Sequence, residues 1–283
     1  MVLQGRQYYV ILLYLIDIWV DTLYNIKKGG YKVKEKIKIK VSSFVANILE
    51  NDALRFGFLN KEKSNKSALL KKLIPTLVEV RKARRNEIEH ILKNEYCRKD
   101  AESIYNAVNT VIDKVYFSDA ELSELEEYVW LRPSKETMAT FDEIETSEIL
   151  ITAQELSVYI RGLLNEYSRL PQYKREMLVF DKELDVFSDA CLTRNILHFR
   201  EKETKKRYKV FAYHYYYGYL YDQTNYCVIY DINDKKIKSI PLYKIQDIYT
   251  IKQKFKPSEL LISLLQEYAD NCDFEKEITV GEE

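Results

Sequence analysis

The hydrophobic period of this chain changes once, and that change sets its fold class. Up to about residue 187, apolar residues recur every three or four positions. Examples are Leu69, Leu70, Leu73, Ile74, Leu77 and Val78, and later Leu156, Ile160, Leu163, Leu164 and Tyr167. That is the spacing of one helix face. From Ala190 the period shortens toward two, and residues 196–199, 208–213, 225–230 and 237–242 read as successive strands between charged turns. Helices gathered in one part and strands in another make the chain α+β. Five or so short antiparallel strands predict a small SH3-like or Sm-like barrel, closed by a helix carrying Leu260, Leu261, Leu264, Leu265 and Tyr268. Tyr213, Tyr215, Tyr217, Tyr219 and Tyr221 occupy every second position, which predicts a one-sided aromatic ladder.

Several chemistries are excluded by what is missing. With 7 glycines in 283 residues, neither G-x-G-x-x-G nor G-x-x-x-x-G-K-[ST] occurs, and G-x-S-x-G is absent too. Cys97, Cys191, Cys227 and Cys272 lie far apart without a C-x-x-C pair, and His90, His198 and His214 form no H-E-x-x-H. The expectation is a cytoplasmic protein with reduced thiols, no metal, no cofactor and no catalytic site.

The formal net charge of zero hides a segregation. Residues 32–85 hold 15 basic and 5 acidic residues, residues 86–150 hold 6 and 16, and residues 194–256 hold 14 and 6. Two basic blocks flank an acidic one. Blocks of one sign create local fields that attract polyanions, so nucleic acid is the expected partner.

Residues 8–20 are apolar but include Asp17. About 20 apolar residues are needed to cross a bilayer, so no stable membrane association is expected. Residues 27–33 (KKGGYKV) can be encoded by a purine-rich ribosome-binding sequence ahead of a GTG codon. Residues 1–32 are therefore expected to be an over-extended reading of the gene, or else a weak membrane segment.

Lys36-Ile37-Lys38-Ile39-Lys40-Val41 alternates strictly, so a strand here puts three lysines on one face. Ser42 and Ser43 offer caps for a helix ending near Gly57, and Asn65 or Ser67 caps a second helix that Pro75 should kink. This strand, helix, turn, helix order over residues 33–85 resembles the ribbon-helix-helix family of DNA-binding dimers. The resemblance implies a homodimer whose paired strands enter the major groove. Lys36, Lys38 and Lys40 would then face base edges, and Asn65, Lys66 and Ser67 would hold a phosphate. The plainer alternative is an edge strand whose lysines block aggregation.

Residues 86–187 read as an acidic helical spacer. Ile88, Ile91 and Leu92, then Leu122, Leu125 and Val129, recur at helical spacing, while residues 132–146 lose periodicity and suggest a linker.

Residues 188–272 carry a further resemblance, with 273–283 as a tail. Val210-Phe211-Ala212-Tyr213, then Asn225-Tyr226-Cys227, then Lys238 through Leu242 to Ile245, are similar to the motifs of the WYL domain. Ala212, Asn225 and Cys227 depart from the usual proline, tryptophan and leucine. The family is regarded as sensing nucleic acids or nucleotide-like ligands in regulators of bacterial defence. The resemblance places Tyr213, Tyr226, Lys238 and Lys244 around a ligand pocket, with His214 beside them. The alternative is that these tyrosines are core and rim.

The whole arrangement also resembles accessory proteins of RNA-targeting type VI CRISPR systems. Two functions are therefore expected. One is a dimeric transcriptional or defence-system regulator that binds duplex DNA and senses a ligand through its WYL domain. The other is a single-stranded RNA-binding accessory whose partner is a CRISPR effector.

Overall fold

The computed structural model describes residues 36–95, 100, 103–108, 111, 125–146, 156–218, 222–271, 274 and 276–281. The expectations for residues 1–32, and for Cys97, Cys272, Tyr219 and Tyr221, lie outside them. The chain divides into a leading unit, residues 1–37, and a main unit, residues 38–283. Among the described residues no helix is long and apolar enough to cross a membrane, and no group of three or more side chains suits a metal ion.

β1 (Ile37–Ser42) buries Ile39 and Val41 and exposes Lys38 and Lys40, as its alternation requires. Ser42 then caps α1 (Ser43–Arg55) by accepting the Val45 N–H at 3.3 Å. Just past the C-cap Phe56 the chain leaves the helix through Gly57, whose φ of +68° is one that a residue with a Cβ seldom adopts. A hairpin of β2 (Leu59–Asn60) and β3 (Lys63–Ser64) turns through Lys61 and Glu62, both left-handed. α2 (Lys66–Glu95) follows and passes through Pro75 without ending. Leu69, Leu70, Leu73, Ile74 and Val78 are fully buried on it. Ile88, Ile91 and Leu92 thus belong to this helix and not to separate ones.

Two expectations for the acidic middle are corrected. Residues 125–131 form strand β4 (Leu125–Leu131), which pairs with β1 and packs on α1 and α2. Where the ribbon-helix-helix resemblance puts the strand of a second chain, one edge of β1 is therefore filled by β4 of the same chain. The segment read as a linker contains α3 (Lys135–Thr146), capped by Ser134 Oγ accepting the Thr137 N–H at 3.2 Å. Thr137, Phe141 and Ile144, at helical spacing, are its buried face.

α4 (Leu156–Ser168), α5 (Gln172–Val179) and α6 (Asp181–Thr193) complete the helical part. Two adjacent residues of α5 tie it to the rest. Arg175 grips Asp52 of α1 through Nε and Nη2 at 2.7 and 3.0 Å, and the Tyr167 hydroxyl donates to the same carboxylate at 2.7 Å. Glu176, fully buried, accepts the Asn225 backbone N–H and side-chain Nδ2 at 2.9 and 2.8 Å and the Tyr243 N–H at 3.1 Å.

The strands are β5 (Asn195–Glu201), β6 (Arg207–Tyr216), β7 (Tyr226–Asp231), β8 (Lys236–Pro241), β9 (Ile245–Lys254) and β10 (Ile278–Thr279). They form one antiparallel sheet in the order β10-β8-β7-β6-β5-β9. The expected closed barrel is not formed. The sheet stays open, with β9 at one edge and the two-residue β10 at the other. α7 (Glu259–Asn271) covers one face, and Leu261, Leu265 and Tyr268 pack on Phe211, Val228 and Ile237. α6 packs across β5, β6 and β9.

The tyrosine ladder is also corrected. A register shift between Ala212 and His214 inserts a bulge in β6. Tyr213 and Tyr216 consequently lie on the α7 face, while Tyr215 pairs with Cys227 on the opposite one. Asn225, standing where the WYL pattern has tryptophan, is wholly buried: its Nδ2 donates to Glu176 and to the Tyr173 carbonyl, and its Oδ1 accepts the Gly218 N–H at 3.2 Å. A Cβ at Gly218 would sit 2.6 Å from the backbone of Gln223 and Thr224, so only glycine fits that close approach.

Candidate nucleic-acid interface

The pairing of β1 with β4 superimposes two alternations. β1 turns Ile39 and Val41 inward, and β4 does the same with Val129 and Leu131, each 1% exposed or less. The outward positions are Lys38 and Lys40 on β1 and Tyr128 and Trp130 on β4. Tyr128 is 47% exposed and Trp130 42%. Lys38 Nζ lies 3.5 Å from the Tyr128 ring centroid and 5.4 Å from that of Trp130, so cation and rings form one surface. Arg132, exposed, follows directly, and its backbone N–H donates to Ser67 Oγ at 3.0 Å. That bond ties the end of β4 to the first turn of α2. Lys36 is exposed and belongs to the leading unit.

Cations beside exposed aromatic rings bind single-stranded nucleic acid well. Unpaired bases stack on the rings and phosphates track the cations, with each stacked base worth about 1–3 kcal/mol. Trp130 and Tyr128 escaped the sequence reading because Leu122, Leu125 and Val129 also fit a helical period. The signal that would have found them is the alternation of Val129 and Leu131 with two aromatic residues, which favours a strand.

Asn65, Lys66 and Ser67, expected to hold a phosphate, are engaged within the protein. Asn65 Oδ1 accepts the Ala68 N–H at 3.1 Å, and Ser67 Oγ accepts from Arg132. Lys66 Nζ pairs with Glu50 Oε2 at 2.6 Å, and this bond, with a hydroxyl from Ser64, holds the Glu50 carboxyl below its usual range.

The five residues expected around a ligand pocket are divided between locations. Tyr213 and Tyr226 lie on the α7 face. Tyr213 donates to Gln266 Oε1 at 2.6 Å, and Tyr226 stacks on Phe274 at 4.4 Å and donates to Asp222 Oδ2 at 3.1 Å. Burial, then Asp222, raises the Tyr226 phenol above its ordinary value. His214 meets Tyr216 edge-on at 4.8 Å, and burial lowers its pKa. Lys238 pairs with Ile229 on the opposite face, where it is buried 3.4 Å from Asp231 Oδ2 and 4.4 Å over the Tyr208 ring. Lys244 sits in the 3₁₀ turn Leu242–Lys244, bonded to Glu203 at 3.0 Å.

No protein-family model and no curated protein matches the chain. In fold it is similar to a crystal structure described as that of a CRISPR Cas-related protein, with a TM-score of 0.62 and 14% identity over 85% of this chain and 72% of that one. At that identity the likeness is one of fold.

Proposed function

We propose that this chain is a cytoplasmic, non-enzymatic accessory protein of a CRISPR defence system, and that it binds single-stranded nucleic acid across the β1–β4 face. The observation that carries the reading is the pair of half-exposed rings, Tyr128 and Trp130, beside Lys38, with Lys40 exposed on the same strand. Bases in a duplex hide their faces, whereas a single strand offers them for stacking. RNA is the preferred strand and the effector of the system the protein partner, in keeping with the fold likeness to a CRISPR Cas-related protein.

A second reading, a homodimeric regulator of duplex DNA, is favoured by the order β1, α1, α2. The other edge of β1 also pairs with no strand among the described residues. Fluorescence anisotropy with an unstructured RNA and a duplex DNA of equal length separates the two. Single-strand binding that weakens roughly tenfold for each ring removed, in Tyr128→Ala and Trp130→Ala, is the expected result. Preference for duplex, or variants that bind RNA as the parent does, would overturn the proposal.

A further inference from the structure

A second group of cations lies far along the chain, on the open sheet. The register puts His198 opposite both Lys209 of β6 and Tyr249 of β9, and Arg200 opposite both Arg207 and Gln246. Directly paired residues in antiparallel strands share a face, and like charges so placed destabilise the sheet. Arg200 against Arg207 is such a pair. Arg200 is compensated by Asp247 Oδ2 at 2.5 Å. Neither Arg207 nor Lys209 has a side-chain hydrogen bond or ion pair among the described residues. Two cations thus stand on one face of the sheet with no carboxylate of the described residues bonded to either.

The geometry beside them is that of a site. His198, Arg200, Arg207, Asp247 and Tyr249 line a cleft of about 450 Å³, a volume suited to a small ligand, and Lys209 stands beside it, paired with the lining His198. The rings of His198 and Tyr249 stack nearly parallel, 5.3 Å apart at 10°, and Tyr249 is 55% exposed. His198 Nε2 is buried and makes no hydrogen bond. Burial and then the Lys209 charge lower the His198 pKa and so favour the neutral ring. At Asp247 the backbone of β9 turns left-handed, φ 53°, within a register shift. Bulges of this kind re-aim side chains at the edges of sheets.

We propose that this cleft is a nucleotide site, with a base stacked on the outer face of Tyr249 and its phosphate held by Arg207, Lys209 adding its charge from beside the lining. Arg200 and Asp247, already paired, form the wall, and His198 Nε2 offers the hydrogen bond that its burial leaves unmade. The ligand is a base carrying a phosphate, either as a free nucleotide or as one unit of a single strand. Only the second source rests on the single-strand reading of the β1–β4 face.

Calorimetric titration of the full chain with adenosine 5′-monophosphate, and separately with a short oligoadenylate RNA, tests the site. Four proteins are compared: the parent, Tyr249→Ala, Arg207→Ala/Lys209→Ala, and Tyr128→Ala/Trp130→Ala. All the replaced side chains lie at or near the surface, and circular dichroism checks that each variant folds.

If the site takes free nucleotide, the mononucleotide binds the parent, Tyr249→Ala weakens it at least about fivefold, and the β1–β4 variant binds it unchanged. If the site takes a strand, the same Tyr249→Ala loss is seen with the oligonucleotide alone. Binding of both probes that is unaffected by Tyr249→Ala and by Arg207→Ala/Lys209→Ala overturns the site. Should the β1–β4 variant alone lose RNA in that case, the single-strand reading stands without it. Loss of the RNA in the cleft variants with no loss of RNA in the β1–β4 variant would sink that reading instead.

Discussion

Arg175 and Glu176 show how much of this fold rests on single side chains. The guanidinium joins α5 to α1 through Asp52, and the neighbouring carboxyl joins it to the strands through Asn225 and Tyr243. Burial pushes the Glu176 carboxyl up from 4.5 to about 7, against the opposing pull of the N–H groups of Asn225 and Tyr243. Because the folded protein holds this proton more tightly than the unfolded chain does, the residue's stabilising contribution is fully present below about pH 4.5 and is lost as pH rises through about 7. The loss amounts to at most about 3 kcal/mol. Urea unfolding at a series of pH values should therefore show the parent losing stability over that window more steeply than Glu176→Gln, and equal slopes would disprove the shift. Nothing in the sequence around Glu176 marks it out. It is one glutamate among many until Asn225, 49 positions away, is folded against it.

At the scale of elements, legibility followed locality. β1 and its cap at Ser42, the start of α2 and the strands β5 to β8 were readable because each is specified by its own alternation, helical spacing or turn residues. α3 was hidden by polar composition, although Thr137, Phe141 and Ile144 carry its period. β4 was read as helix because its apolar residues fit both periods, and only pairing with β1 decided between them. The two faces of β4 should respond differently to truncation. Leu131→Ala is expected to cost about 2–5 kcal/mol as a buried large-to-small change, and Trp130→Ala less than about 1 kcal/mol. Both are measurable as shifts in the denaturant midpoint. Equal losses would mean that the β4 alternation does not separate core from surface.

Over the whole molecule, a formal charge of zero coexists with two surfaces of local positive charge, one on the β1–β4 pair and one on the sheet. Binding of a single strand should then depend on salt as it would for a basic protein, since only the phosphates that meet a cation release counterions. Replacing Lys38 and Lys40 by alanine should flatten the plot of log affinity against log salt by about 0.7 for each phosphate no longer neutralised. A slope unchanged from the parent would remove these lysines from the interface.

By itself the sequence determined the α+β class, the placing of a mainly helical part before the main run of strands, the lysine face of β1 and the segregation of charge. Periodicity and composition are local properties, and any fold of the chain has to respect them. Only the tertiary structure decided that β4 lies beside β1 and sets Tyr128 and Trp130 next to Lys38. It also placed Lys238 on the face opposite Tyr213 and Tyr226, and brought Arg207 and Lys209 level with Arg200 and His198. Those outcomes depend on strand register, and a bulge or a slip of one residue sends a side chain to the other face.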